Sequence, residues 1–245
     1  IHLRCELPCP DTAESAEGTA AAGPLHLISI MDHTPGARQF TSIDKFKEYY
    51  LGKKLILPER IDDYIGERRE MQARHAPANK RAILELAGRL GVTLASHDDA
   101  TEAHVEEAIA DGVSIAEFPT TREAALAAHR NGLAVLMGAP NVVRGKSHSG
   151  NISAAEVAAS GHRAVMASAY VPASLPPAGV RLSATVPRPP LPRAMRMTTL
   201  NPARAAGLDD RGAIEPRKRA DLVQVRLSDG IPLVRRVWRE GVRVM

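Results

Sequence analysis

Short apolar runs alternate along the chain with segments whose apolar residues recur at helical spacing. The runs are nearly continuous in apolar residues, which is typical of parallel strands that are covered on both faces. Strands that alternate with helices indicate parallel pairing through crossover helices, and therefore an α/β fold. The candidate strands are HLRCEL, LHLISIMD, VTLAS, VSIAEF, LAVLMG and RAVMASAY.

These six candidate strands are two fewer than a closed TIM (β/α)₈ barrel needs. We therefore expect residues 1–200 to form an incomplete TIM barrel of about six strands. Beyond the barrel, two β-like runs flank the turn sequence Ser-Asp-Gly. Residues 201–245 are accordingly predicted to form a C-terminal piece of a small β domain.

Two segments interrupt the alternation of strands and helices. Residues 44–74 are rich in charge and are predicted to form a helical insertion between two strands. Residues 172–192 contain seven prolines, and proline removes a backbone donor and clashes with the preceding turn of a helix. No continuous helix is therefore expected in this second segment, although a βα unit would need one.

The composition narrows the kinds of function. With 245 residues, of which 44% are hydrophobic, the chain can bury a full core. A cytoplasmic protein without a membrane partner is expected, because no apolar run approaches a membrane helix and the first residues lack the order of a signal peptide. The net charge of +4 favours anionic ligands. Nucleic acid is not an expected partner, because only 3% of the residues are aromatic and the basic residues are scattered.

Acids and histidines follow several of the candidate strands. In parallel α/β folds the working residues lie at the carboxyl ends of the strands. One acid and two imidazoles from separate strand ends can converge on a divalent cation such as Zn²⁺, with one aspartate of the Asp-Asp pair orienting a ligand. The alternative is that these side chains cap helices or satisfy structural hydrogen bonds. The residues concerned are Glu6, His33, His97, Asp98, Asp99 and Glu117.

A loop rich in glycine and serine follows the fifth candidate strand and carries several cations and amides. Such a loop can hold phosphate groups with its backbone N–H groups and its side-chain cations. A loop of the G-x-x-x-x-G-K type is excluded, because position 140 holds Pro140. A surface loop without a ligand remains the alternative. The candidate substrate-binding residues are Asn141, Arg144, Lys146, Ser147, His148 and Asn151.

Eight segments, in order along the chain, resemble one family: the diphosphatases of phosphonate breakdown, within the amidohydrolase superfamily. The resemblance implies a metal-dependent barrel of amidohydrolase type. In that family, activated water cleaves α-D-ribose 1-methylphosphonate 5-triphosphate into the 5-phosphate and diphosphate. The segments are HLRCEL, LISIMDHTPGARQF, LASHDDATEAHV, IAEFPTT, VLMGAPNVVRGKSHSGN, YVPASL, NPARAAGLDDRG and RADLV.

The same resemblance implies roles for individual residues. Glu6, His33 and His97 look like metal ligands, with Zn²⁺ as the expected metal, and residues 141–151 look like part of the substrate pocket. The implied partners are the phosphorylated ribose phosphonate and either further copies of the chain or a complex of the pathway.

Two departures from the family pattern lead us to expect an impaired enzyme. The family has Ser-Asp-Tyr after its last barrel strand, where this chain has Ala169, and alanine cannot accept a proton from water. The N-terminal third of the family, with the first barrel strands, has no counterpart in this sequence. A catalytically inactive remnant that acts at most as a binding subunit is therefore the alternative. A different amidohydrolase activity is the third hypothesis.

Overall fold

A computed structural model describes residues 1–40, 42–145, 152–153, 156–157, 164–184 and 189–245. The chain divides into two compact units, Ile1–Ala127 and Ala128–Met245. Within these described residues, six parallel strands that alternate with helices, together with a small antiparallel sheet, confirm the predicted fold class. The division predicted at residue 200, which separates barrel from small β domain, stays a prediction.

Four parallel strands build the sheet of the first unit, each paired with the next in chain order. Both faces of this sheet are covered, and Ile28 and Ala95 have no solvent exposure. Double coverage explains why these strands appear in the sequence as continuous apolar runs. The strands are β1 (His2–Glu6), β2 (Leu27–Met31), β3 (Thr93–His97) and β4 (Ile115–Glu117).

Helices connect these strands, and local residues set where the helices begin and end. Thr101 begins α4, because its hydroxyl oxygen accepts a hydrogen bond from the backbone N–H of His104. Gly91 ends α3 in the left-handed conformation that glycine adopts without steric cost. In the described part of the chain, no helix combines the length and the apolar character needed to cross a membrane. The helices are α1 (Thr12–Ala22), α2 (Ile43–Gly52), α3 (Ile61–Leu90), α4 (Glu102–Ala110) and α5 (Arg122–Arg130).

The predicted helical insertion between β2 and β3 is confirmed, and it has an aromatic core. Phe46 of α2 is 1% exposed and stacks on Tyr50, with ring centroids 4.2 Å apart. Tyr64 of α3 lies beyond it, with its ring centroid 6.3 Å from that of Phe46. Two buried isoleucines of α3 complete the cluster. The insertion therefore buries a hydrophobic cluster of its own.

The second unit holds two further parallel strands, β5 and β6, and the small antiparallel sheet. In the small sheet Trp238 lies opposite Leu222 on one side and Arg243 on the other. Several apolar side chains of this sheet are exposed, such as Ile231 and Val223. The strands are β5 (Ala134–Gly138), β6 (Ala164–Ala167), β7 (Leu222–Ser228), β8 (Ile231–Arg239) and β9 (Val242–Arg243).

The prediction that the proline-rich segment excludes a continuous helix is wrong. After a 3₁₀ turn, the ten-residue helix α7 (Leu175–Ala184) forms within it. Pro176 and Pro177 fall in the first turn of α7, where backbone N–H groups have no partner within the helix. A missing donor therefore costs little at these two positions. Three further helices with described bounds in this unit are α6 (Ala139–Arg144), α8 (Leu191–Arg196) and α9 (Leu200–Ala205).

Asn79 ties α3 to the segment after β1, and we predict that its loss destabilises the first unit. Its side-chain amide donates to the carbonyl oxygens of Leu7, at 2.8 Å, and Cys9, at 2.7 Å, and the residue is buried. Asn79→Ala leaves both carbonyls without these donors, so the free energy of unfolding should fall by about 2 kcal/mol in urea denaturation. Arg74→Ala, at an exposed position of the same helix, should change it by less than about 0.5 kcal/mol. Equal stabilities of the two variants would contradict this account.

Candidate metal centre

The carboxyl ends of β1 to β4 bring ionisable residues to one edge of the sheet. Glu6 ends β1, His97 ends β3 and Glu117 ends β4. The register pairs His97 with Glu117, and it pairs Glu6 with Met31, two residues before His33. Because parallel strands end at the same edge, residues that are distant in sequence meet there.

His33, His97 and Asp98 form a compact group at this edge, which we call the His–Asp cluster. Nε2 of His33 lies 3.7 Å from Oδ2 of Asp98, and Nε2 of His97 lies 3.6 Å from the same oxygen. The three candidate ligand atoms all lie within 4.8 Å of one another. Two imidazole nitrogens and a carboxylate oxygen are a donor set that Zn²⁺ accepts.

A carboxylate orients each imidazole of the cluster. Nδ1 of His33 donates to Oε2 of Glu6 at 2.5 Å, and the backbone N–H of His33 donates to Oε1 at 2.9 Å. Nδ1 of His97 donates to Oε2 of Glu117 at 2.8 Å. An ionised carboxylate can only accept, so Nδ1 of each ring carries a proton and Nε2 is the nitrogen that faces Asp98. Pairs of this kind orient histidines in metal sites.

Burial and hydrogen bonding act in opposite directions on the acids of this edge. Burial raises the pKa of Asp98, and the two nearby imidazoles oppose this effect without cancelling it. Burial also acts to raise the pKa of Glu6 and of Glu117. There, however, the hydrogen bonds from His33 and His97 outweigh burial and hold both pKa values below their ordinary value. Both glutamates are therefore ionised at neutral pH, as the orienting hydrogen bonds require.

Asp98 shows that the cluster fits a divalent cation. Its Oδ2 is buried, and it has no hydrogen-bond partner among the described residues. A buried acceptor without a partner costs about 1–3 kcal/mol, and more when it is charged. The backbone of Asp98 is left-handed, with φ of 56°, a conformation that aspartate adopts more readily than most residues. A divalent cation would take the unpaired oxygen as a ligand and offset its charge.

Arg4 of β1 also reaches the cluster, a role that its position in an apolar run did not indicate. Its Nη2 lies 3.3 Å from Nε2 of His97, and its Nη1 donates to Oε1 of Glu117 at 3.3 Å. The side chain is 45% exposed, whereas that of Glu117 is 3% exposed, so the guanidinium approaches the cluster from solvent. A cation held by Nε2 of His97 would displace this contact and leave the guanidinium available to an anion.

The predicted metal-site residues of the first unit take different positions. His33 and His97 meet in the cluster, while Glu6 lies against Nδ1 of His33, so its role as a ligand stays a prediction. Asp98 faces both imidazoles. Asp99 is not among the three residues of the cluster, and its carboxylate accepts from the hydroxyl of Ser96 and from Arg38. Glu117, for which the sequence left a structural role open, orients His97.

The predicted substrate-binding residues belong to the second unit. Asn141 and Arg144 lie on α6, and Nη1 of Arg144 donates to Oη of Tyr170 at 3.4 Å. Ala169 follows β6 at an exposed position with φ of 46°. The remaining four, Lys146, Ser147, His148 and Asn151, lie outside the described residues.

Comparison with known proteins identifies the family. A sequence model of the amidohydrolase family matches residues 68–245, and the chain belongs to this family. Among curated proteins, the alpha-D-ribose 1-methylphosphonate 5-triphosphate diphosphatase of Escherichia coli (strain K12) is 46% identical to this chain over 245 residues. The match covers 100% of this chain and 65% of that protein, and it confirms the resemblance.

Solved structures share the fold. An amidohydrolase from Thermotoga maritima superimposes with a TM-score of 0.53 and 18% identity, covering 100% of this chain and 62% of its own. A second crystal structure, of an uncharacterized protein, has a TM-score of 0.58 and 16% identity, covering 96% of this chain and 59% of its own. At these identities the likeness concerns the fold alone.

We predict that the His–Asp cluster binds one divalent cation and that its affinity depends on the orienting carboxylates. Glu117→Gln keeps the size of the side chain but removes the charge that faces Nδ1 of His97. We expect this change to weaken Zn²⁺ binding by roughly 10- to 100-fold, measured by competition with a chromophoric chelator. His97→Ala should weaken it further. Glu14→Gln, on the exposed side of α1, is the matched control. Unchanged affinity in His97→Ala would place the cation elsewhere.

Proposed function

We propose that this chain carries the metal centre of a hydrolase that cleaves α-D-ribose 1-methylphosphonate 5-triphosphate to the 5-phosphate and diphosphate. The observation that carries the proposal is the 46% identity with the Escherichia coli diphosphatase, which extends over every residue of the chain. The His–Asp cluster and the predicted phosphate-binding loop both fall within the match. Because the chain spans 65% of that relative, substrate and reaction remain part of the proposal.

The cluster residues have distinct roles in this proposal. His33 and His97 would hold Zn²⁺ through Nε2, and Asp98 would hold it through Oδ2. We also propose Glu6, which lies at the same edge of the sheet, as a further ligand. A bound divalent cation lowers the pKa of water to about 7 and offsets charge on phosphoryl oxygens. Glu6 and Glu117 keep the imidazoles from rotating away from the centre.

Cationic and amide groups are proposed to bind the phosphates. Arg4 presents a partly exposed guanidinium beside the cluster, and guanidinium N–H groups match phosphate oxygens in pairs. On the sequence alone, we also propose a phosphate-binding role for Asn141, Arg144, Lys146, Ser147, His148 and Asn151. The net charge of +4 favours such a polyanionic substrate.

Ala169 supports a second candidate function, a binding subunit without turnover. By resemblance to the family, this position after β6 is where an aspartate accepts a proton from water. A methyl group cannot accept a proton, and such assistance typically contributes 10²- to 10⁴-fold to a rate. A chain with Ala169 would then bind the cation and the triphosphate while hydrolysis stays slow.

Ala169→Asp tests the hydrolase against the binding subunit. We expect the unaltered chain with Zn²⁺ to release diphosphate slowly from the ribose triphosphate. Under the hydrolase hypothesis, with the lost carboxylate as the main defect, Ala169→Asp raises the rate by roughly 10²- to 10⁴-fold, because a carboxylate can take up the proton. Under the binding-subunit hypothesis, Ala169→Asp does not restore turnover. The left-handed backbone at this position favours aspartate over alanine, so the variant should fold. A coupled assay for diphosphate measures the rate.

Ala169→Asn is the matched control, since its amide has the shape of the carboxylate and tolerates the same backbone but is not basic. Its rate should equal that of the unaltered chain. If Ala169→Asp is no faster than Ala169→Asn while both bind the triphosphate in equilibrium dialysis, the binding subunit is the better account. If neither variant binds the triphosphate, both candidate functions are wrong.

A further inference from the structure

Arg38 joins the two segments that carry the His–Asp cluster. It lies on the loop after β2, five residues beyond His33. Its Nη1 donates to Oδ1 of Asp99, in the turn after β3, and its Nη2 donates to Oε2 of Glu107 on α4 at 2.6 Å. One guanidinium therefore links the His33 loop to the turn that carries Asp98.

The contact with Asp99 is buried. Asp99 is 1% exposed, and its two carboxylate oxygens accept from the hydroxyl of Ser96 and from Arg38. A buried carboxylate that loses its cation is strongly destabilised, because its own desolvation is no longer offset. Arg38 is therefore the group that allows Asp99 to stay in this position.

Among the described residues, backbone hydrogen bonds hold the turn on the side of β4. The N–H of Asp98 donates to the carbonyl oxygen of Glu117 at 2.9 Å, and the N–H of Thr120 donates to that of Asp99 at 2.8 Å. Both bonds tie the turn to β4 and the residues that follow it. On the side of His33, Gln72 and Arg69 of α3 donate to Asp32 and Pro35 of the loop, whereas Arg38 is the side chain that reaches from this loop to Asp99.

We propose that Arg38 is a positioning residue that fixes the separation between His33 and Asp98, and thereby sets the affinity of the His–Asp cluster for a divalent cation. The inference rests on the proposed metal-dependent function. Arginine suits this role because its two terminal nitrogens reach different acceptors, Asp99 and Glu107. The single ammonium of lysine cannot reproduce this fork.

Zn²⁺ titration of the full chain with Arg38→Met and Arg38→Lys tests the proposal. We expect both variants to bind Zn²⁺ about 10- to 100-fold more weakly in competition with a chelator, as for other residues that orient metal ligands. The control is Arg89→Met, which removes an exposed ion pair to Glu17 with an N–O distance of 2.6 Å. Its Zn²⁺ affinity should stay within about twofold of the unaltered chain, because exposed pairs contribute little.

A second measurement reports on the turn without metal. In the metal-free chain, hydrogen exchange of the backbone amides in residues 95–101 should be faster in both Arg38 variants than in Arg89→Met. Asp99→Asn and the double variant Arg38→Met/Asp99→Asn test whether Arg38 acts through Asp99. The double variant should then bind Zn²⁺ no more weakly than the weaker single variant.

The two measurements distinguish a failure of the positioning role of Arg38 from a failure of the proposed metal-dependent function. If the unaltered chain binds Zn²⁺ and the Arg38 variants bind it equally tightly, the positioning role is wrong and the metal centre stands. If the unaltered chain binds no Zn²⁺, the metal-dependent function is wrong. The exchange measurement still decides on Arg38 in that case, since unchanged exchange in residues 95–101 would show that it does not hold the turn.

Discussion

The arrangement of the candidate site depends on two hydrogen bonds between histidine and glutamate. Glu6 holds Nδ1 of His33, and Glu117 holds Nδ1 of His97. Each bond leaves Nε2 directed at the same carboxylate oxygen of Asp98. The parallel sheet makes this possible, because strands that run in one direction deliver their last residues to one edge. The chemistry of the edge thus follows from strand direction and register.

Charge near this edge is compensated along a chain of side chains of alternating sign. Arg38 lies between Asp99 and Glu107, and Lys80 of α3 lies between Glu107, at 2.8 Å, and Asp111, at 2.6 Å. Asp99 is buried and the other charges are partly exposed, and each has a partner of opposite sign that offsets its desolvation. Oδ2 of Asp98 departs from this pattern among the described residues, and that departure points to a ligand rather than to a structural role.

The strands and several residues of the site could be predicted from the sequence, whereas the individual roles of some site residues could not. The strands and the positions of His33 and His97 follow from apolar runs with polar residues at their ends. The different roles of Asp98 and Asp99 cannot be predicted from this pattern. They arise from a backbone φ of 56° and from Arg38, which is 61 residues from Asp99. Such a contact has no local signature.

The helix α7 (Leu175–Ala184) illustrates a second kind of failure. The number of prolines suggested a segment without a continuous helix, but position decided the outcome, because a helix tolerates proline in its first turn. A count of prolines over residues 172–192 does not show that Pro176 and Pro177 lie in the first turn of a helix. The role of Arg4 also could not be predicted, because it lies in an apolar strand and contacts His97 only once the strands pair in the sheet.

The aromatic residues are divided unevenly between the two compact units. Tyr49, Tyr50 and Tyr64 lie in the insertion of the first unit, whereas the single tryptophan, Trp238, lies on β8 of the second. Tryptophan emission therefore reports on the small antiparallel sheet, and tyrosine absorbance reports mainly on the insertion. Because Tyr170 lies in the second unit, tryptophan emission is the optical signal that reports on one unit alone.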